Sequence, residues 1–165
     1  MGVRRAQAGD AAALGEIHVR TWQAAYEHVF GAERLAGMSP ERRTEQWRRW
    51  LAEGVDAWVF EEEDGAVVGF VWVGDSREAE GEGELFAIYV LPESWGSGAG
   101  RELMAVGRDA LRAAYPTSIL WVLEDNPRAR RFYEREGWEL DGGRKEDELL
   151  GATVVEVRYR LKAGT

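Results

Sequence analysis

The sequence predicts a mixed α/β fold built on one sheet with both antiparallel and parallel strand pairs. An Asp64-Gly65 turn signal separates two apolar runs, which is typical of a hairpin. Further along, a helix-like segment at residues 101–114 separates two strand-like segments, residues 84–91 and 118–123. A strand–helix–strand unit of this kind brings its strands together in parallel, whereas a hairpin joins antiparallel neighbours.

Helical patterns dominate the first third of the chain, after a short first strand at residues 3–5. Asp10 stands before a run of strong helix formers, which is the position of an N-cap. The next segment repeats side chains at three- and four-residue steps, which gives one face of a long amphipathic helix. These side chains are Leu14, Ile17, His18, Thr21, Trp22, Ala25 and Tyr26. Ser39-Pro40 then places an N-cap before a proline in the first helical position, so a second helix begins there and ends near Gly54.

The rest of the chain alternates between strands and helices. Besides the segments of the parallel pair, strands are predicted at residues 58–60, 67–73, 138–140 and 154–161. The last of these alternates apolar and charged side chains, as a strand with one covered face does. The acidic stretch at residues 78–83 contains glycine and is predicted to be a loop. Pro127 can begin a helix that Gly137 ends.

Composition excludes several classes of function. The 165 residues are 45% hydrophobic, which predicts one compact domain spanning residues 1–165. The chain contains no cysteine, so neither a disulfide nor a thiolate nucleophile is available. A net charge of −9 argues against nucleic acid as a partner, since nucleic-acid-binding surfaces are basic. Because no apolar run of membrane-spanning length and no signal-peptide pattern occurs, we expect a cytoplasmic protein without a membrane partner.

The most informative segment runs from Leu91 to Arg101 and contains three glycines at alternate positions. Glycine lets the backbone turn tightly and lie close to a ligand, and the helix that follows presents unpaired N–H groups. This arrangement favours a phosphate or pyrophosphate. The segment lacks the lysine of a nucleotide P-loop, and Arg101 stands where a dinucleotide fingerprint has its third glycine. Taken alone, the glycines leave a dinucleotide site and a purely structural loop open.

A second motif follows the glycine loop and occupies residues 126–138. It reads Asn126-Pro127-Arg128-Ala129-Arg130-Arg131-Phe132-Tyr133-Glu134-Arg135-Glu136-Gly137-Trp138. Together the two motifs resemble those of the GNAT superfamily of N-acetyltransferases, whose loop reads (Gln/Arg)-x-x-Gly-x-(Gly/Ala). Trp95 replaces the usual Gln or Arg, at a position expected to contribute mainly backbone. The resemblance covers almost the whole chain, and it implies a mostly antiparallel sheet with a central, splayed parallel strand pair and helices on both faces.

The resemblance also implies a co-substrate, acetyl-CoA (coenzyme A), and no metal. In the family, the loop binds the pyrophosphate, and the splayed end of the fourth strand meets the pantetheine arm and the thioester. The corresponding cofactor-binding residues are Ile88, Tyr89, Val90, Trp95, Gly96, Ser97, Gly98, Ala99, Gly100, Arg101 and Asn126. Among them, the Val90 N–H is the expected donor to the thioester oxygen.

Two residues of the second motif correspond to functional residues of the family. Tyr133 matches a tyrosine that protonates the departing thiolate as general acid, which suits a phenol because it holds its proton at neutral pH. Its alternative role is packing beside Phe132. Asn126 matches an asparagine that bonds to the pantetheine or thioester region, and its position before Pro127 also suits an Asx turn or N-cap.

The sequence defines the general base and the binding pocket for the amine substrate less clearly. Glu84 lies where some relatives keep a glutamate that deprotonates the amine, although a glutamate at the start of a strand is ordinarily a solvated charge. Trp22 and Tyr26 are candidates for binding the acceptor substrate, with core packing as the simpler interpretation. The two histidines and the scattered carboxylates show no spacing typical of a metal site.

The sequence therefore predicts an N-acetyltransferase that moves an acetyl group from acetyl-CoA to a primary amine by direct attack. The acceptor is a small molecule or a peptide, and its identity is not specified by the sequence. A non-catalytic acyl-CoA-binding sensor or interaction module with the same fold is the alternative. A homodimer is a candidate assembly, as in many members of the family.

Overall fold

The computed structural model describes residues 1–162, which form one sheet with helices packed against it. The strands are β1 (Gly2–Arg5), β2 (Asp56–Glu61), β3 (Val67–Asp75), β4 (Gly83–Val90), β5 (Ser118–Leu123), β6 (Trp138–Leu149) and β7 (Ala152–Leu161). The helices are α1 (Ala11–Ala25), α2 (Glu27–Phe30), α3 (Ala32–Ala36), α4 (Pro40–Ala52), α5 (Ala99–Ala114) and α6 (Pro127–Arg135). None of these described helices is both long and apolar enough to cross a membrane.

Within residues 1–162 the sheet has seven strands in the order β1-β2-β3-β4-β5-β7-β6. Every neighbouring pair is antiparallel except β4 and β5, which run parallel, so the predicted mixed α/β fold is confirmed. The parallel pairing joins Gly83–Leu85 to Ser118–Leu120 and stops there. Because β4 continues to Val90 and β5 to Leu123, the two strands separate and open a wedge in the sheet.

Consecutive side chains of the central strand β3 contact helices on opposite faces of the sheet. The ring of Phe70 lies 5.1 Å from that of Trp47 in α4 and 6.2 Å from that of His18 in α1. The next residue, Val71, approaches Gly107 of α5, where an added Cβ would lie 3.0 Å from a Val71 methyl carbon. Since side chains alternate across a strand, α1 and α4 cover one face and α5 covers the other.

The two predicted N-caps have different outcomes. Ser39 Oγ accepts a hydrogen bond from the Arg42 N–H at 3.1 Å, so the cap of α4 is confirmed. Asp10 occupies the predicted N-cap position of α1, but its side chain makes no hydrogen bond to that helix. Its carboxylate instead accepts hydrogen bonds from the Arg4 guanidinium at 2.9 Å and from the Gln7 N–H at 2.7 Å. The ion pair with Arg4 also holds the pKa of Asp10 below its usual value.

Strand β6 is much longer than the predicted strand at residues 138–140. It continues to Leu149 and pairs with β7, with an irregular register between Leu140 and Arg144. Most of its side chains are exposed and many are charged, because β6 is an edge strand that packs against little besides its neighbour. An edge strand of this kind lacks the apolar alternation by which strands are recognised in sequence.

Candidate active site

A cavity of about 480 Å³ extends from the splayed end of β4 along the loop before α5. Most of the residues predicted to bind the cofactor border it, namely Ile88, Tyr89, Val90, Trp95, Gly96, Ser97, Gly98, Gly100, Arg101 and Asn126. Ala99, the remaining one, is buried at the first position of α5. The fold thus brings the predicted residues to one cavity, and their role in binding stays a prediction.

The loop between β4 and α5 has the backbone geometry that its glycines allow. The backbone angle φ is 80° at Gly96 and 95° at Gly98, in the left-handed region that side chains with a Cβ rarely adopt. Gly98 is the N-cap of α5, which begins at Ala99 instead of the predicted Arg101. The first-turn N–H groups of a helix have no partner within the helix and carry its positive dipole end. This end of the cavity is therefore suited to an anion.

Cationic side chains border the same cavity. Arg101, Arg128 and Arg135 all line it. Burial lowers the pKa of Arg128, and the positive charges of Arg135 and Arg131 lower it further. Crowded cations of this kind are stabilised by a bound anion. The sequence reasoning missed Arg128 and Arg135, although the arginine-rich sequence of α6 was a signal for them.

The side chain of Trp95 also joins the loop to the splayed strand, a contact that the expected, mainly backbone role did not include. Its indole N–H donates to the Val90 carbonyl at 2.7 Å, and the Arg128 guanidinium lies 3.9 Å from its ring centroid. On the other side of β4, the Leu91 N–H donates to Val68 of β3. Because successive amides of a strand point to opposite edges, the Val90 N–H points away from β3 and into the wedge.

A second cavity of about 490 Å³ is lined mainly by residues of β4, β5 and β6, with Glu156 from β7, Trp22 from α1 and Tyr26 just after α1. It shares Tyr26, Tyr89 and Tyr133 with the first cavity, so the two meet at these phenols. Tyr133 of α6 is 7% exposed, and its ring packs 5.8 Å from that of Phe132. Burial raises the pKa of Tyr133 well above 10, and the neighbouring Tyr89 raises it further. The phenol therefore keeps its proton at neutral pH, which a proton donor requires.

Two of the phenols at this junction accept hydrogen bonds from neighbouring side chains. The donors are Asn126 and Trp22. Asn126 caps α6 by accepting from the Ala129 N–H at 3.2 Å, and its side-chain amide donates to the Tyr26 hydroxyl at 3.0 Å. The Trp22 indole N–H donates to the Tyr89 hydroxyl at 3.0 Å. Trp22 and Tyr26 also pack against one another, with ring centroids 4.9 Å apart. They combine core packing with a place on the wall of the second cavity.

Comparison with known proteins agrees with this architecture. A family model described as the acetyltransferase (GNAT) family matches residues 13–138. The chain belongs to the GNAT acetyltransferase family. The uncharacterized N-acetyltransferase YuaI of Bacillus subtilis is 34% identical to it over 128 residues, which cover 76% of this chain and 73% of that protein.

Two further similarities are more limited. A mycothiol acetyltransferase of Streptomyces griseus is 44% identical over 78 residues, which make up 47% of this chain but only 25% of that longer protein. The crystal structure of the PaiA N-acetyltransferase from Thermoplasma acidophilum, in complex with coenzyme A, has a TM-score of 0.72 and 17% identity. That alignment covers 98% of both chains, so the two proteins share their fold.

In this GNAT domain, Glu84 lines the second cavity but is only 2% exposed. One carboxylate oxygen accepts from the Arg77 guanidinium at 3.0 Å, and the other accepts from the Arg77 N–H at 3.3 Å. Both oxygens of the predicted base are therefore already bonded within the chain. Among residues 1–162, no three His, Asp or Glu side chains gather as a metal site would require.

The predicted role of the loop in binding acetyl-CoA implies that replacing Gly98 by Ala should weaken that binding about tenfold. A Cβ at φ 95° costs on the order of 1–2 kcal/mol, so the loop and the start of α5 would leave their present geometry. Isothermal titration calorimetry with acetyl-CoA measures the effect. Gly142→Ala is the matched control, because Gly142 also has a left-handed backbone (φ 91°) but lies on β6, outside both cavities. Equal affinity of the Gly98 and Gly142 variants would contradict the assigned role of the loop.

Proposed function

We propose that this protein transfers an acetyl group from acetyl-CoA to a primary amine by direct attack. The observation that carries the proposal is the meeting of two cavities at the buried phenol of Tyr133. One cavity has features that suit a phosphorylated carrier, and the other is open to an acceptor. Direct attack fits a chain that contains no cysteine to hold an acyl group.

The residues of the first cavity fit coenzyme A. The left-handed turn at Gly96 and Gly98 and the first-turn N–H groups of α5 would hold the pyrophosphate, and Arg101 and Arg128 would neutralise its charge. The splayed end of β4 would hold the pantetheine arm. Support comes from the crowded positive charges around Arg128 and from the structural relative that holds coenzyme A in the same fold.

The chain's own groups perform the transfer at the junction of the cavities. Acetyl-CoA, when bound, supplies an acetyl group activated as a thioester. The amine nitrogen enters from the second cavity and bonds to the acetyl carbon, while the carbon–sulfur bond breaks. The Val90 N–H donates to the acetyl oxygen as that oxygen gains negative charge. Tyr133 gives its proton to the departing sulfur, and the phenolate is reprotonated by the surplus proton on nitrogen.

Thiol release from acetyl-CoA tests this function. We expect steady release with at least one member of a panel containing benzylamine, 1,4-diaminobutane and a tripeptide with a free N-terminus. Calorimetric titration with acetyl-CoA and with NAD runs in parallel. Tight acetyl-CoA binding without turnover on any amine would favour the non-catalytic sensor, and binding of NAD in preference to acetyl-CoA would reject both.

A further inference from the structure

Several charged side chains line the second cavity. They are Arg77, Glu78, Glu84, Lys145, Asp147 and Glu156. An amine that reaches the junction through this cavity must pass them, and as an ammonium ion it must lose a proton before it can attack. The bonds that each carboxylate already makes decide which of them can receive that proton.

Two of the carboxylates are bound within the chain. Glu84 has both oxygens on Arg77, as described above. Glu78 accepts from the Trp121 indole N–H, and its other oxygen accepts from the Arg158 guanidinium at 3.2 Å. Both oxygens of each carboxylate already accept a hydrogen bond within the chain, so an incoming ammonium would have to displace one of these donors.

Glu156 of β7 is different. Within residues 1–162 no guanidinium, ammonium or N–H group forms a hydrogen bond or ion pair with its carboxylate, whose side-chain hydrogen-bonding partner is the carboxyl of Asp147. Its cross-strand neighbour Lys145 forms no ion pair with it, because the Lys145 ammonium lies 4.1 Å from the ring centroid of Trp121, although the positive charges of Lys145 and Arg77 lower the pKa of Glu156. Burial raises the pKa of Glu156, and the adjacent carboxyl of Asp147 raises it further. A half-buried carboxylate that forms no ion pair gains most from a cationic ligand.

Glu156 lines the same cavity as the phenols of Tyr26, Tyr89 and Tyr133. Its negative charge contributes to raising the pKa of both Tyr26 and Tyr89, the two phenols that border both cavities together with Tyr133. The negative charge of Glu156 therefore acts at the junction.

We propose that Glu156 is the catalytic base that receives the proton of the acceptor ammonium. The inference rests on the proposed function and replaces Glu84, which stays paired with Arg77. In the step, a nitrogen–hydrogen bond of the ammonium breaks and an oxygen–hydrogen bond forms on Glu156, directly or through one water. The neutral amine then attacks the acetyl carbon, and Glu156 releases the proton to solvent through the open cavity.

The proposal predicts a specific pH dependence. Below its raised pKa, Glu156 carries a proton and cannot take another, so kcat/KM falls as pH falls through that pKa. The groups that set the pKa are Asp147 and Lys145 from β6 and Arg77 from the β3–β4 loop. Glu156→Gln should remove this acidic limb and leave only the limb that belongs to the amine itself.

The experiment compares Glu156→Gln with a matched control on the same hairpin. We expect kcat/KM of Glu156→Gln to fall by about 100- to 10,000-fold, and Glu156→Asp to recover part of it. Glu146→Gln removes an equal charge from an exposed position outside both cavities and should leave kcat/KM unchanged. Acetyl-CoA affinity, measured by calorimetry, should be the same in all four proteins and establishes that each variant is folded.

Chemical rescue separates a base from a merely structural residue. Formate added to Glu156→Ala should restore turnover in proportion to its concentration, because a small carboxylate can occupy the vacated position. Wild-type turnover in Glu156→Gln, or a folded Glu156→Ala that does not respond to formate, would overturn the base while the proposed function stands. A wild-type protein that acetylates no amine of the panel would overturn the proposed function and the base together.

Discussion

Replacing Tyr133 by Phe should lower kcat by about 100- to 10,000-fold and leave the affinity for acetyl-CoA unchanged. The aromatic ring remains, so its packing against Phe132 and Tyr159 persists. Only the hydroxyl is lost, and with it the proton for the departing sulfur. Because burial and Tyr89 raise the pKa of this phenol well above 10, the wild-type group stays protonated at neutral pH and through the moderately alkaline range. Its ionisation should therefore cause no loss of kcat between pH 7 and 9.

Tyr115→Phe is the matched control for this change. Its hydroxyl donates to Asp75 at the far end of α5, and it borders neither cavity. We expect it to retain wild-type kcat. Steady-state thiol release gives kcat, and calorimetric titration gives the acetyl-CoA affinity. Full turnover in Tyr133→Phe would remove the proposed acid, and lost affinity for acetyl-CoA would reassign the phenol to cofactor binding.

The parts of the fold that could be predicted from the sequence are those in which the periodicity of apolar residues matches the face that is buried. The hairpin at Asp64-Gly65 and the strand–helix–strand unit around α5 are covered on at least one face, so their apolar periodicity is strong. Strand β6 is held in place mainly by its pairing with β7. Its own amino-acid sequence carries no pattern from which that pairing could be predicted. The Asp10 carboxylate shows the same limit, because its partner Arg4 comes from another element.

The candidate site divides in the same way. The glycine loop, Asn126 and Tyr133 belong to short contiguous motifs. The order and spacing of these motifs were sufficient to predict that the residues line one cavity. Glu156 carries no motif. Its place in the second cavity depends on the register of β7 against β5 and β6, which pairs it with Leu123 and Lys145. Registers between distant strands are set by the whole sheet, so the sequence alone favoured Glu84.

Replacing Trp47 by Ala should lower the free energy of unfolding by about 3–5 kcal/mol. Trp47 is fully buried between α4 and the sheet. Its ring centroid lies 5.1 Å from that of Trp50, 5.1 Å from that of Phe70 and 5.3 Å from that of Trp72. Truncation would remove these contacts and leave a cavity that α4 and β3 cannot fill by small shifts. Urea denaturation followed by far-UV circular dichroism measures the loss.

Trp47→Phe distinguishes packing from hydrogen bonding at this position. The Trp47 indole N–H is buried, and no acceptor among the described residues bonds to it. An unsatisfied buried donor costs about 1–3 kcal/mol, so replacing the indole by a phenyl ring removes that cost and partly offsets the lost volume. We therefore expect Trp47→Phe to lose less than half as much stability as Trp47→Ala. Equal losses would mean that the indole N–H forms a hydrogen bond in the folded protein.

Because α4 packs against α1, which carries Trp22 at the junction of the cavities, the Trp47→Ala variant should also lose activity at temperatures where the wild type stays folded.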